Sequence, residues 1–347
     1  MRLNGVARLS GMVLVGAMAV SACSSSGSTA APASAAPTAA APASVAAPAS
    51  APASEGAPAS GATGAVTLGV AFPNSDTFLS RVQNAITKEA AAKGATATIT
   101  DAKDDTATQL SQVENFVSQG VSAIIVVPVD TSAAQPMADA AKAANIPLVF
   151  VNRDPAIEGV PYVGSDSLFA GTVEMEELAK LAGGKGDVVI LEGQVTNEAA
   201  VSRTQGCNDV VGKNPGMKVV ATQAGDWDRA KGQSITENWI QSGILKAGMV
   251  VCANNDEMAL GAINALKAGD LLDTVFVGGV DATSEALAAM QAGDLEVTVF
   301  QDAEGQGKGG VDAAVDLVGG KTIPNNLVDI PYVLVTPANM QQYLGAN

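Results

Sequence analysis

From residue 66 onward the chain is written in two alternating patterns. The first is a short apolar run bounded by polar, Gly or Pro residues, as at 66–72, 123–127, 147–151, 187–191 and 250–253. Runs of this length without polar interruption predict strands buried on both faces. The second is an apolar recurrence at three- and four-residue spacing, such as Leu79, Val82, Ile86 and Ala90 within 78–92, which predicts an amphipathic helix. The same reading predicts strands at 96–100, 218–222, 274–280 and 296–300. Helices are predicted at 108–118, 133–144, 169–181, 198–211, 230–241, 257–268, 284–291 and 309–317.

Repeated strand–helix units require parallel sheets with helices on both faces, which makes the fold class α/β. There are too many units for one ordinary doubly wound sheet. A single eight-stranded β/α barrel has a similar length and competes with two lobes. The stretch 147–153 with its preceding helix is echoed by 274–281 with its own, and this favours two doubly wound lobes.

The first 64 residues differ in kind. Arg2 and Arg8 precede an apolar stretch at 9–20, followed by Val20-Ser21-Ala22-Cys23. A positive start, a short apolar segment and small residues before a cleavage point describe a secretory signal at 1–22. Cys23 in that setting resembles the lipidated cysteine of a bacterial lipobox. The alternative is an ordinary signal with a chance cysteine. Residues 24–64 are almost only Ala, Pro, Ser, Gly and Thr, too poor in apolar surface to offset ordering entropy, and read as a stalk on the outer face of the cytoplasmic membrane. Membrane contact is expected through the lipid alone.

A net charge of −16 with no Lys/Arg cluster argues against a nucleic-acid partner. Histidine is absent, which removes the commonest general base and zinc ligand. Neither metal nor cofactor is expected. With Cys23 assigned to lipid, Cys207 and Cys252 are left as a disulfide or as two buried thiols. Gly305-Gln306-Gly307-Lys308-Gly309-Gly310 fits a dinucleotide fingerprint in spacing but lies near the end of the chain, and it reads as a mobile helix start. Asp101, Asp104 and Asp105 lack the Gly and final Glu of a calcium loop and read as a solvated turn.

Ligands of open α/β sheets bind beyond the carboxyl ends of the strands. Near those ends stand Asp76, Phe78 and Leu79 after the first strand, and Asn152 and Arg153 after 148–151. Further on come Arg203 on the helix after 187–191, Trp227 in Gly225-Asp226-Trp227-Asp228-Arg229, Asn255, Asp281 and Gln301. A polyhydroxylated ligand needs this mixture. Each hydroxyl both donates and accepts, guanidinium forks donate in fixed geometry, and aromatic faces cover C–H surface. Taken singly, Asp281 and Asn255 have the plainer reading of helix N-caps. Arg153 has that of an ion pair with Asp154, and Phe78 and Trp227 that of core residues.

The wording Asn255-Asp256-Glu257-Met258-Ala259-Leu260-Gly261-Ala262 closely resembles the ribose-type periplasmic sugar-binding proteins, relatives of the lac repressor ligand-binding core. The resemblance covers nearly all of 66–334. It implies two lobes and three crossings, near Asp166, Gln301-Asp302 and Asp329-Ile330. The N-terminal lobe would be 65–165 with 302–329 and the C-terminal lobe 166–301 with 330–347. Arg153, Arg203, Asn255, Asp281, Gln301 and Phe78 match the family's sugar contacts in type, and Trp227 stands where an aromatic is usual. Asn152 replaces the usual aspartate, Leu79 replaces a second aromatic, and Asp76 stands near a usual asparagine. The changes at Asn152 and Leu79 put ribose itself in question, and a different pentose, a cyclitol or an acyclic polyol fits as well. The implied protein is a monomeric solute-binding lipoprotein, open without ligand and closing on it to dock on an ABC permease. A ligand-presenting receptor for a membrane sensor would have the same pocket. A carbohydrate-acting enzyme would have to find its acid/base pair among Asp226, Asp228, Asp256 and Asp281. A DNA-binding regulator fits less well still, because the lipobox and stalk occupy the place where its headpiece would be.

Overall fold

The computed structural model describes residues 65–346. The expected signal at 1–22, Cys23, the stalk at 24–64 and Asn347 lie outside the described residues. Among the described residues no helix is long and apolar enough to cross a membrane.

The strands form two parallel sheets. β1 (Thr67–Phe72), β2 (Thr96–Asp101), β3 (Ala123–Val126), β4 (Leu148–Val151), β5 (Tyr162–Gly164) and β11 (Leu327–Asp329) make the first, in the order β2-β1-β3-β4-β5-β11. β6 (Lys185–Glu192), β7 (Gly216–Ala224), β8 (Val250–Ala253) and β9 (Phe276–Gly278) make the second, in the order β7-β6-β8-β9. Bridges Gly278–Val297 and Asp281–Phe300 continue it to β10 (Thr298–Phe300), which pairs antiparallel with β12 (Val333–Val335). The fold is thus α/β with two doubly wound sheets, and the barrel alternative is ruled out by the open strand order.

Helices cover both faces of each sheet. On the first, α1 (Thr77–Ala92) and α9 (Ala303–Val318) pack on one face, and α2 (Thr106–Gln119) and α3 (Gln135–Ala143) on the other. On the second, α4 (Ser167–Leu181) and α5 (Glu198–Lys213) face α6 (Arg229–Gln241), α7 (Asp256–Ala268) and α8 (Ser284–Ala292) across the sheet. β3, β4 and β8 are buried at every position, as their unbroken apolar runs require. Side-chain oxygens start the helices at strand ends: Asp76, Asp166, Asp228, Asn255, Thr283 and Asp302 each accept a backbone N–H of the first turn. α4 and α5 cross closely because both contribute glycines. A Cβ at Gly171 would lie 2.1 Å from the Arg203 carbonyl oxygen, and one at Gly206 2.6 Å from Thr172 N. Cys207 on α5 and Cys252 on β8 are joined by a disulfide in the core of the second sheet.

Three expectations need correction. The expected strand 274–280 is shorter, because a 3-10 turn occupies Leu272–Thr274. β5, β11 and β12 were not foreseen, being three residues each. The glycine-rich stretch is no mobile helix start, since α9 already begins at Ala303 and Gly305 N is held by Asp302 Oδ1 at 2.7 Å.

Candidate ligand-binding site

The carboxyl ends of the two sheets face one narrow cavity of about 40 Å³, partly continuous with solvent. Its lining brings together every residue singled out from the sequence: Asp76, Phe78, Leu79, Asn152, Arg153, Arg203, Trp227, Asn255, Asp281 and Gln301. Thr77, Ala199 and Glu257 complete it. Direct contacts also join the two sides outside the cavity. Thr131 N donates to Thr196 O at 3.3 Å, and Arg81 Nη2 to Ser284 Oγ at 3.3 Å.

On the first side, Asp76 Oδ1 caps α1 through Leu79 N at 2.7 Å, which sets Phe78 and Leu79 at the start of the helix. Asn152 follows β4 in a left-handed conformation, φ 69°. Its turn throws Arg153 inward, where it is 3% exposed and donates through Nη1 to Pro128 O at 2.8 Å. The surface ion pair with Asp154 is therefore not the role of Arg153. Burial pulls the guanidinium pKa down to about 10, opposed by Asp76 and Asp104, so it remains charged at neutral pH. Burial raises the Asp76 carboxyl above its ordinary value.

On the second side Arg203 is the centre. Nη1 donates to Asn254 O at 2.7 Å, and Nη2 to Gln301 Oε1 at 3.0 Å and Tyr332 OH at 2.6 Å. Its charge lies 5.6 Å from the ring centroids of both Trp227 and Tyr332, within cation–π range. Trp227 comes from a loop with two consecutive left-handed residues, Asp226 and Trp227. Its ring lies on the end of β6 where Gly193 leaves room; a Cβ there would be 2.2 Å from the indole.

Asn255 is both cap and lining residue: Oδ1 accepts Met258 N at 3.0 Å, and Nδ2 donates to Trp227 O at 3.4 Å. Asp281 is not the cap of α8, because Thr283 takes that place. Asp281 lies buried at 4% exposure beside the cavity, and burial pushes its carboxyl well above the ordinary range against the pull of Arg203. Arg203 Nε and Trp227 Nε1 are buried donors without a partner among the described residues. Buried donors of this kind are costly unless something accepts from them.

The carboxylates considered for catalysis do not meet in the cavity. Asp226 pairs with Lys231 and Asp228 caps α6, while Asp256 is occupied by Thr283 N and Thr298 Oγ1, both at 2.7 Å. Of the four acids, only Asp281 lines the cavity. Sequence reasoning missed Tyr332, which sits on a connection between the sheets where no periodicity marks it.

A family profile for the periplasmic binding protein domain matches residues 68–322. A Rhizobium meliloti protein named for rhizopine binding is 46% identical over 257 residues, 72% of this chain and 82% of the relative. A xylitol-binding protein of Mycolicibacterium smegmatis is 33% identical over 264 residues, 75% of this chain and 74% of the relative. The solved structure of an ABC transporter solute binding protein from Bacillus halodurans, with bound myo-inositol, superimposes with a TM-score of 0.80 at 41% identity, covering 83% of this chain and all of the other.

Proposed function

The chain belongs to the periplasmic binding protein family, and within it we propose an extracytoplasmic solute-binding protein of an ABC importer that takes a cyclitol or related polyol into the cavity between two lobes. The family consists of solute-binding proteins, and this chain is one of them rather than an enzyme. The lobes we propose are 65–165 with 302–329, and 166–301 with 330–347. Support for them is that β5 and β11 lie in the first sheet while β10 and β12 pair with each other beside the second.

The observation that carries the reading is the convergence on one cavity of two buried guanidinium groups, two raised carboxyls, amides and two aromatic rings. An all-hydroxyl ring presents a donor and an acceptor at every carbon, and a site with both kinds of group can pair them all. Relatives named for rhizopine and xylitol, and a solved relative holding myo-inositol, support a cyclitol or sugar alcohol over ribose. The ten lining residues named from the sequence are the contacts we assign. Ligand bridging the lobes favours their closed arrangement, and that form docks on the permease. We further assign Cys23 as the lipid anchor on the outer face of the membrane and a monomer as the working state.

A thermal-shift screen of the purified protein against myo-inositol, other cyclitols, xylitol, pentoses and hexoses tests the reading. A ligand that binds only the native state raises the melting temperature by mass action. A rise confined to cyclitols and polyols is the expected result. No rise with any member refutes the ligand class.

A further inference from the structure

The glycine-rich stretch 305–310 finds its explanation in depth of packing. A Cβ at Gly307 would lie 2.5 Å from Ala85 Cβ and 2.8 Å from Val82 O on α1. One at Gly310 would lie 2.8 Å from Val151 Cγ2 on β4, and one at Gly309 2.9 Å from Val163 Cγ1 on β5. α9 therefore lies closer to α1 and the first sheet than larger residues permit. What this delivers is Gln306, fully buried between these glycines.

Both ends of the Gln306 amide are used. Oε1 accepts from Asn152 Nδ2 at 3.0 Å, and Nε2 donates to Ser165 Oγ at 3.3 Å. Ser165 N donates to Tyr162 OH at 3.2 Å, and Tyr162 OH donates to Asn152 O at 3.0 Å. The ring of bonds closes on Asn152, fixing both its side chain and its left-handed backbone. Asn152 lines the cavity and Gln306 does not.

Resting on the polyol-site reading above, we propose that Gln306 is a positioning residue that sets the face Asn152 turns to the ligand. With one N–H of Nδ2 committed to Gln306, the Asn152 amide is held against flipping, so this subsite presents Oδ1 as acceptor and the second N–H as donor in one fixed arrangement. Gln306 acts only through Asn152, and its effect on binding vanishes when Asn152 is gone.

A double-mutant cycle measured by calorimetry, with whichever of myo-inositol, xylitol and D-ribose binds the wild type most tightly, tests this. Gln306→Met should raise Kd about tenfold, the size of one hydrogen bond. In the Asn152→Ala background the same change should alter Kd less than about twofold, since no coupling partner is left. Gln306→Glu, protonated when buried, presents a carbonyl to Asn152 and a donor to Ser165, and should stay within about threefold of wild type. Should Gln306→Met melt too low for titration, Ser165→Ala frees the same amide from its other end and enters the cycle in its place. An undiminished effect in the Asn152→Ala background, or wild-type affinity in the single variant, overturns the proposal and leaves the polyol site standing. Wild-type protein that binds no member of the panel overturns the polyol site and this inference together.

Discussion

Arg153 offers the sharpest test of the site, because binding and folding pull it in opposite directions. It is 3% exposed, and burial lowers its pKa from the ordinary guanidinium range to about 10. At about 1.4 kcal/mol per unit, housing the charge costs the folded state about 3 kcal/mol. Its one backbone bond, from a charged donor to Pro128 O, returns most of that, about 1.5–3 kcal/mol. Arg153→Met keeps the apolar stem and removes the charge. The gain from not burying a cation and the loss of the Pro128 bond nearly cancel, so the melting temperature should move by no more than about 4 °C either way. Binding has no such compensation. Losing one or two charge-assisted hydrogen bonds to ligand hydroxyls costs about 3 kcal/mol, roughly a hundredfold in Kd. Calorimetry with myo-inositol beside a thermal melt reads both quantities. Affinity within about threefold of wild type refutes the site. A fall of about 10 °C at unchanged affinity would make Arg153 a structural cation instead.

Three further expectations concern the frame. Burial pushes the Asp256 carboxyl from 3.8 up to about 7. The native state then holds this proton more tightly than the unfolded state. Its contribution is full below about pH 4 and is lost as pH rises toward 7. Asp256→Asn should flatten that part of a urea-stability profile, and an unchanged slope places the titration elsewhere. The Cys207–Cys252 bond closes a 45-residue separation, for which about 2–4 kcal/mol is expected; the double alanine variant should lose that much, and mass spectrometry under non-reducing conditions checks the bond itself. Gly171→Ala places a Cβ 2.1 Å from the Arg203 carbonyl oxygen. It should cost about 1–3 kcal/mol in stability and weaken ligand affinity as well, since α5 carries Arg203; wild-type affinity in a destabilised variant would separate the two effects.

The strands buried on both faces were legible because nothing polar interrupts them, and the candidate site because its residues cluster at their carboxyl ends. What was not legible depends on packing between distant segments. β5, β11 and β12 are too short to show a period, and exist because neighbours pair with them. The start of α9 carries glycines that disfavour helix, yet the contacts with α1, β4 and β5 outweigh that propensity. A better local reading was available from Asp302, three residues before Gly305, which is a cap signal. Tyr332 had no local mark at all. Its importance is conferred by Arg203, 129 positions earlier.

The two arginines also bear on the proposed closure. Arg153 is tied to the first-sheet frame by Pro128, whereas Arg203 is tied to Gln301 and Tyr332, which lie on the connections between the sheets. Arg203 Nε and Trp227 Nε1 are buried donors with no partner among the described residues. Leaving two such donors unpaired costs about 1–3 kcal/mol each, so on the proposed closing motion about 2–6 kcal/mol would weigh against burying them unpaired. A ligand whose hydroxyl oxygens accept from both donors would remove that penalty. Moving a two-state equilibrium from 1:99 to 99:1 takes about 5.5 kcal/mol. The penalty lifted by satisfying these two donors is of that order, before any contact of Arg153, Asn152 or Asp281 is added.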